Sequence, residues 1–432
     1  MDNLSHRFFL FEEKSKVSIG QLLFYLGLFL LPSAFSISAI LLIISSILGF
    51  FIPRENYFND KWNIPFFLAT LLLILSSIYN SMNSNDFFNY EGLKNINSHL
   101  GLFNWIPFTL SFYGFQAYLK SKKARKNCSL LLLAGTVPVF ISIIGQTFLD
   151  WHGPIQALNG LIVWYQRPLN GITEVTGLFN NPNYLGSWLI IIWPYSLAAF
   201  IHKDKDLLNT LVTTSFIILI AASIILCASR GAWLSFIISI PLFFGSKSFK
   251  WFIPFLIFLG TIFLSIFIPI FGDNFQSFMK EFIPSGIWSN FSLSTYSADI
   301  NRVEIWQNAL ELISKNPFLG SGFSSFPTYL ESQTGIWKGH SHNLILELML
   351  SYGIPVALLI LIPFTLLIKS ALSKVYIQKK INLYENIFDR AWIISLILLA
   401  VMHLFDIQYF DGRISIAGWV LLSGTRNIVK RN

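Results

Sequence analysis

The sequence predicts an all-α polytopic membrane protein: a bundle of about twelve transmembrane helices forming a single domain over residues 1–432, with a large, partly helical outer loop. Hydrophobic residues make up 54% of the chain and charged residues only 12%, which is too apolar for the surface of a soluble protein. Apolar runs long enough to cross a hydrocarbon core of ~30 Å recur from end to end. The basic residues fall mainly in alternate connections between these runs, as in polytopic membrane proteins.

Each apolar run is interpreted as one membrane-spanning helix. The first two and the last two are marginal in length, and a tilted, short or re-entrant segment is the alternative for each. In chain order the predicted spans are 19–33, 36–52, 64–80, 100–119, 129–149, 184–201, 207–228, 231–245, 250–271, 342–368, 391–408 and 412–425.

The distribution of Lys and Arg predicts that both termini are cytoplasmic in the inner membrane. Basic runs such as "KSKKARK" at 120–126 and the tail "TRNIVKRN" then lie inside, and no small-residue cleavage site precedes the first span. The net charge of +8 is therefore a topology signal. It does not indicate nucleic acid as a partner, because the basic residues lie in short, separate loops.

Metal or disulfide chemistry is not expected from the cysteines. Cys128 and Cys227 fall at opposite ends of predicted spans and cannot pair, and the chain has no zinc-type Cys spacing. The first outer loop, 81–99, contains Asp86 and Glu91 but no acidic pair at metal-binding spacing.

Two outer loops are notable, 150–183 and the long loop 272–341 between the ninth and tenth spans. Within the second, "DINRVEIWQNALELISKNP" predicts an amphipathic helix that begins near Asp299 or Asn301 and ends before Pro317. Its apolar stripe is predicted to contain Trp306, Ala309, Leu310 and Ile313. The loop is expected to pack against the outer surface of the bundle.

Two arginines on this outer side are candidates for binding an anion. Arg230 is the only charged residue between Asp206 and Lys247, and it follows the tight turn between two spans. Arg302 precedes Trp306 by about one helical turn, so it projects from the packed stripe instead of the solvated face. A guanidinium binds phosphate through two parallel hydrogen bonds. The alternatives are an arginine extended to lipid headgroups and a local pair with Asp299.

The tenth span opens with "HSHNLILELMLSYGIP", which carries ionisable groups at a membrane boundary. His342 is predicted to begin the helix, where an imidazole can exchange protons near neutral pH, whereas His340 is expected to point elsewhere. Glu347 shares a helix face with Asn343 and is interpreted as a buried polar contact. An interfacial histidine without a chemical role remains the alternative.

A further polar group precedes the sixth span. In "TGLFNNPNYLGSW", Asn residues flank Pro182, a pattern typical of helix starts because Asn caps free backbone donors and Pro fits the first turn. Asn183 is a possible supporting residue of the site, and a purely structural cap is the alternative.

Together, "GLFNNPNYLG", "SRG", "NRVEIWQNALELISKNPFLGSG" and "HSHNLILELMLSYGIP" resemble the O-antigen ligase and polymerase superfamily of integral-membrane glycosyltransferases, over roughly 130–370. His342, Asn343 and Gly353 match that family's pattern of His-Asn, nine residues and Gly. The sequence departs from many relatives at Val356, where they have a small residue.

The resemblance implies a class C-like glycosyltransferase fold. It also implies transfer of a glycan from an undecaprenyl-diphosphate carrier to an acceptor hydroxyl on the periplasmic face, without metal or nucleotide sugar. In this interpretation His342 is the general base, Arg230 and Arg302 bind the diphosphate, and Asn343, Glu347 and Asn183 support them. The partners are the carrier-linked glycan, a lipid- or protein-linked acceptor, and membrane lipids. A repeat-unit polymerase of the same superfamily and an anion transporter, for example of bicarbonate, remain alternatives.

Overall fold

A computed structural model describes residues 18–52, 56–82, 99–169, 174–202, 206–245, 248–282, 300–377 and 386–430. These residues form seventeen α-helices and one two-stranded antiparallel hairpin, which confirms the predicted all-α class. The predicted acidic residues of the first outer loop, Asp86 and Glu91, lie outside the described residues, as do Asp299 and the stretch 378–385 of the predicted loop 369–390.

The helices and strands are numbered in chain order. The first half of the chain contains α1 (Ile19–Leu30), α2 (Phe35–Phe50), α3 (Ile64–Met82), α4 (Ile106–Gln116), α5 (Lys122–Gly135), α6 (Val137–Phe148), β1 (Ile155–Ala157), β2 (Ile162–Trp164) and α7 (Pro182–Ile201). The second half contains α8 (Leu207–Leu226), α9 (Arg230–Phe244), α10 (Phe249–Leu264), α11 (Asp273–Phe282), α12 (Arg302–Lys315), α13 (Ser325–Thr334), α14 (Leu344–Tyr352), α15 (Ile354–Leu372), α16 (Ile387–Phe405) and α17 (Gly412–Lys430).

Among the described residues, six helical stretches are long and apolar enough to cross a membrane, so the chain is a membrane protein. They are Ile64–Met82, Lys122–Phe148, Pro182–Ile201, Leu207–Leu226, Ile354–Tyr376 and Ile387–Phe405. Four shorter apolar helices, α1, α2, α9 and α10, have 10–17 residues. The count of twelve spans remains a prediction.

The bundle is organised around α7 and α16. In their most apolar windows 78% and 67% of the residues are buried inside the protein, against 17% for α8. Helices α7 and α16 therefore form the centre, and α8 presents most of its apolar side chains outward, as expected of a helix that faces lipid. Helix α7 begins, and helix α16 ends, beside the candidate site described below.

The tenth predicted span differs from the expectation in two ways. Its helix begins at Leu344 instead of His342, and it is interrupted at Gly353 between α14 and α15. Gly353 has φ 93°, a left-handed conformation that favours glycine, and a Cβ at this position would collide with the Phe318 carbonyl. The close approach of the outer loop to this helix therefore breaks it, and Pro355 starts the second segment in its first turn.

The amphipathic helix of the long loop is confirmed as α12, with Asn301 as its N-cap: the Asn301 side chain accepts a hydrogen bond from the Glu304 N–H at 2.9 Å. One predicted stripe position is wrong, because Leu310 is 55% exposed while Leu312 is buried. The buried face packs with α13 and α14 in a second hydrophobic cluster that contains Ile305, Ala309, Leu312, Ile313, Phe326, Leu330 and Leu350. The loop is thus seated on the bundle, as expected.

Candidate functional site

The segment His340–Ser341–His342 lies just before α14 and is held in an unusual backbone shape. His342 has φ 54°, in the left-handed region, so the expectation that it occupies the first helical turn is wrong. Asn343 is the N-cap instead, and its side-chain oxygen accepts hydrogen bonds from the Ile345 and Leu346 N–H groups at 2.9 and 3.2 Å. The Asn343 amide also donates to the Leu404 carbonyl, which ties the segment to the end of α16.

Glu347 and Trp306 fix the middle of this segment. A single carboxylate oxygen of Glu347, which is 3% exposed, accepts hydrogen bonds from the Ser341 N–H at 3.0 Å and the Ser341 hydroxyl at 2.9 Å. The Trp306 indole of α12 donates to the Ser341 carbonyl at 3.1 Å. The buried polar contact predicted for Glu347 is therefore present. It holds the histidine segment, because an unmade buried hydrogen bond is costly.

Asp406, directly after α16, is the residue on which both histidines converge. Its Oδ1 lies 3.0 Å from His342 Nδ1 and 3.6 Å from His340 Nε2. Its Oδ2 accepts a hydrogen bond from the Asn183 amide at 2.8 Å. The expectation that His340 points elsewhere is wrong. The backbone at His342 is left-handed, and the centroids of the two imidazole rings lie 4.3 Å apart.

The surroundings of Asp406 favour its charged form and the neutral form of His340. Burial raises the pKa of Asp406, but the hydrogen bond with His342 and the neighbouring His340 outweigh it and lower the pKa below its usual value. Burial, together with His342, lowers the pKa of His340 from 6.5 to about 4. Asp406 is thus an anion and His340 a neutral ring at physiological pH.

Asn183 connects this carboxylate to the turn that carries Arg230. Asn181 caps α7 by accepting a hydrogen bond from the Asn183 N–H at 2.8 Å, which leaves the Asn183 side chain available for tertiary contacts. Its amide donates to Asp406, and its oxygen accepts from the Ser229 hydroxyl at 2.7 Å. Ser229 is in turn the N-cap of α9, whose first residue is Arg230. Asn183 therefore has tertiary contacts beyond its place in the helix start.

A cavity of about 990 Å³ opens between α7, α9, α12 and α16. Arg230 and Arg302 lie on its wall with Asn183 and Asp406, and its apolar lining comes from Leu234, Val303, Met402 and Phe405. Arg302 is half-buried and donates a hydrogen bond to the Phe405 carbonyl, whereas Arg230 is exposed. Two acidic side chains, Glu174 and Glu304, also line the cavity.

The structure thus brings all six predicted site residues into one connected region. Arg230, Arg302 and Asn183 line the cavity; His342 contacts Asp406 at its edge; Asn343 and Glu347 hold the histidine segment. Asp406 was missed by the sequence reasoning. The available signal was an acidic residue at the end of an apolar helix in "HLFDIQ", a position where ionisable groups tend to be functional.

Comparison with known proteins supports a family resemblance over part of the chain. Residues 215–361 match the family model described as O-antigen ligase, and this region contains Arg230, Arg302 and the His340–His342 segment but neither Asn183 nor Asp406. The resemblance seen in the sequence, to the O-antigen ligase superfamily of membrane glycosyltransferases, is thereby confirmed.

One relative gives a particular point of comparison. The chain is 26% identical over 264 residues to the ComP-specific O-oligosaccharyltransferase of Acinetobacter baylyi (strain ATCC 33305 / BD413 / ADP1). The aligned region covers 59% of this chain and 46% of the relative, so the chain spans about half the length of the curated protein that it matches.

Proposed function

We propose that the protein is an O-antigen ligase-like glycosyltransferase that moves a glycan from an undecaprenyl-diphosphate carrier to an acceptor hydroxyl at the periplasmic face of the inner membrane. One observation carries the proposal: Asp406 lines the cavity that holds Arg230 and Arg302, and the same carboxylate holds the His342 ring at 3.0 Å. Two arginines suited to a leaving diphosphate therefore line the same cavity as the carboxylate that orients the imidazole.

The hydrogen bond to Asp406 selects the tautomer of His342. Because Asp406 is ionised, it accepts the proton on Nδ1, and the lone pair of the neutral ring then lies on Nε2. Nε2 is the nitrogen that would accept the proton of the acceptor hydroxyl. The imidazolium formed in that step is stabilised by the Asp406 carboxylate, as in other His–carboxylate pairs.

The arginines would act on the leaving group. The acceptor oxygen forms a bond to the anomeric carbon while the bond from that carbon to the diphosphate oxygen breaks, and the electron pair leaves with the diphosphate. Guanidinium groups at the position of the developing charge lower the barrier to this departure. The apolar wall of Leu234, Met402 and Phe405 suits a ligand whose diphosphate continues into an isoprenoid chain.

His340 is less suited than His342 to serve as the base. Its Nδ1 accepts the His342 N–H at 3.2 Å and its Nε2 lies 3.6 Å from Asp406, so both nitrogens are directed into the protein. Its pKa, lowered by burial to about 4, also makes it a weak proton acceptor.

The test is transfer from a purified polyprenyl-diphosphate glycan in detergent. His342→Ala is expected to lower the rate by ~10² to 10⁴, the usual contribution of a positioned base, while His340→Ala retains most of it. Equal losses in the two variants would contradict the role of His342.

The acceptor separates the proposed ligase from a repeat-unit polymerase. The matched relative is named for ComP, and for this chain we propose a lipid- or protein-linked hydroxyl. Mass spectrometry of carrier-linked glycans in cells with and without the gene distinguishes the two functions. Accumulation of carrier-linked polymer on deletion indicates a ligase, and loss of long chains with single capped units remaining indicates a polymerase.

A further inference from the structure

His340, His342 and Asp406 together have the composition of a transition-metal site. Each offers one ligand atom, and within the described part of the chain these three atoms lie within 4.8 Å of one another. Imidazole nitrogen with a carboxylate oxygen is a common ligand set for Zn²⁺. The Asp406 carboxylate is held in place, because its Oδ2 accepts a hydrogen bond from the Asn183 amide at 2.8 Å.

The distances from Asp406 to the two histidine nitrogens suit a tetrahedral ion. Zn–N and Zn–O bonds of about 2.0–2.2 Å place neighbouring ligand atoms about 3.3 Å apart. The Asp406 Oδ1 lies 3.0 Å from His342 Nδ1 and 3.6 Å from His340 Nε2, on either side of that value. The two histidine side chains are 26% and 19% exposed, so an ion can reach the cluster from solvent. Three protein ligands also leave the fourth tetrahedral position open to water.

Two features of the cluster limit its affinity. Binding through His340 Nε2 moves the ring proton to Nδ1, which ends the 3.2 Å hydrogen bond accepted from the His342 N–H. The positive charge of Arg302 acts on the same ring. The ion is therefore expected to bind reversibly instead of serving as a permanent structural group.

We propose that His340, His342 and Asp406 form an inhibitory binding site for Zn²⁺. An ion bound to His342 Nδ1 takes the place of the proton shared with Asp406, and the neutral ring then carries its proton on Nε2. That nitrogen has no lone pair left to accept a proton from a hydroxyl. Occupation of the site therefore switches off the base without closing the arginine-lined cavity.

The binding test needs no glycan, so its outcome is independent of the proposed transferase function on which the inhibitory consequence rests. Protein purified without a polyhistidine tag is titrated with ZnCl₂ by calorimetry, and with Co²⁺ by visible absorption. One ion per chain is expected. His340→Ala and Asp406→Asn should each weaken binding by ~10-fold or more. The matched control is His152→Ala, an exposed histidine whose Nδ1 contacts the Asp150 carbonyl, and it should bind as the wild type does.

Gel filtration establishes that each variant is folded before titration, and Asp406→Asn keeps the shape of the side chain if His340→Ala is unstable. A wild-type protein without a saturable one-to-one site, or a folded His340→Ala that binds Zn²⁺ as tightly as the wild type, would overturn the proposal.

The inhibitory consequence is measured in the transfer assay, with each variant compared to its own metal-free rate. Zn²⁺ should inhibit the wild type and a chelator should restore the rate, whereas Mg²⁺, which prefers oxygen ligands, should not inhibit. His340→Ala should need ~10-fold or more Zn²⁺ for half inhibition. If binding is found but Zn²⁺ inhibits both proteins equally, the site does not control the base.

Discussion

At the scale of single residues, the geometry of the two arginines bears directly on the proposed diphosphate site. Substitution of Arg230 or Arg302 by Lys keeps the charge but removes the planar fork that forms two parallel hydrogen bonds with a phosphate. We expect kcat/KM for transfer to fall in each variant by the equivalent of about 2 kcal/mol, with normal membrane insertion. The measurement is kcat/KM at varied donor concentration in detergent.

A control for these variants is available in the same region. Lys315, at the other end of α12, pairs with Glu311 at 3.0 Å on an exposed surface, and Lys315→Arg should leave the rate unchanged. Near-normal turnover in both arginine variants would show that neither guanidinium binds diphosphate.

The individual residues also show what the sequence could and could not predict. The arginines and His342 stand out locally, because a charge beside an apolar helix is visible in a single stretch of sequence. Asp406 is 64 residues from His342, and their contact depends on the packing of α16 against the α14 segment. The left-handed turn that brings His340 to the same carboxylate likewise has no local signal, since the segment contains no glycine after Gly339.

At the scale of elements, the interruption between α14 and α15 depends on Gly353. Gly353→Ala should be strongly destabilising, because the added methyl group meets the Phe318 carbonyl in addition to the cost of ~1–2 kcal/mol for a left-handed alanine. Apparent melting temperature and yield in detergent provide the measurement.

Two other glycines separate the causes of this effect. Gly335 has φ 72° with open space around a Cβ, so Gly335→Ala should show only the backbone strain. Gly260 lies within α10 and also has open space, and Gly260→Ala should be neutral or slightly stabilising. If Gly353→Ala is tolerated as well as Gly335→Ala, the outer loop does not press on this helix as described.

Helix boundaries were predicted well where a local sequence pattern determines them and poorly where a tertiary contact determines them. The start of α12 at Asn301 follows from a capping residue and an apolar period. The break at Gly353 follows from the close approach of Phe318 and Gly320 to α14. An apolar run that contains one glycine does not predict this approach. For the same reason one long run was interpreted as a single span.

At the scale of the whole molecule, the proposed periplasmic site requires that α12 and the end of α15 lie on opposite sides of the membrane. Cysteines introduced at Ser314 and Ser373, both exposed, test this in intact spheroplasts with an impermeant thiol reagent. Only the Ser314 position should react, because the basic residues predict that 272–341 is periplasmic and 369–390 cytoplasmic.

The native thiols should contribute little background to this experiment, since Cys128 and Cys227 are both buried. Permeabilised cells serve as the control in which both introduced cysteines react. Labelling of the Ser373 position in intact spheroplasts would refute the proposed orientation, and with it the assignment of the arginine cavity to the periplasm.

The hydrogen bond from the Trp306 indole to the Ser341 carbonyl has a consequence for fidelity. It joins the helix that bears Arg302 to the segment that bears His342, so the two cannot be displaced independently without losing that bond. Withdrawal of the helix from the bundle would remove the proposed diphosphate ligand Arg302 from the cavity and would at the same time break this contact with the segment of the proposed base. In the proposed reaction, a half-assembled site would then lack a group that stabilises the leaving diphosphate, so water reaching the cavity at that moment would react slowly. The proposed carrier-linked sugar would thereby be kept for the intended acceptor and not lost to hydrolysis.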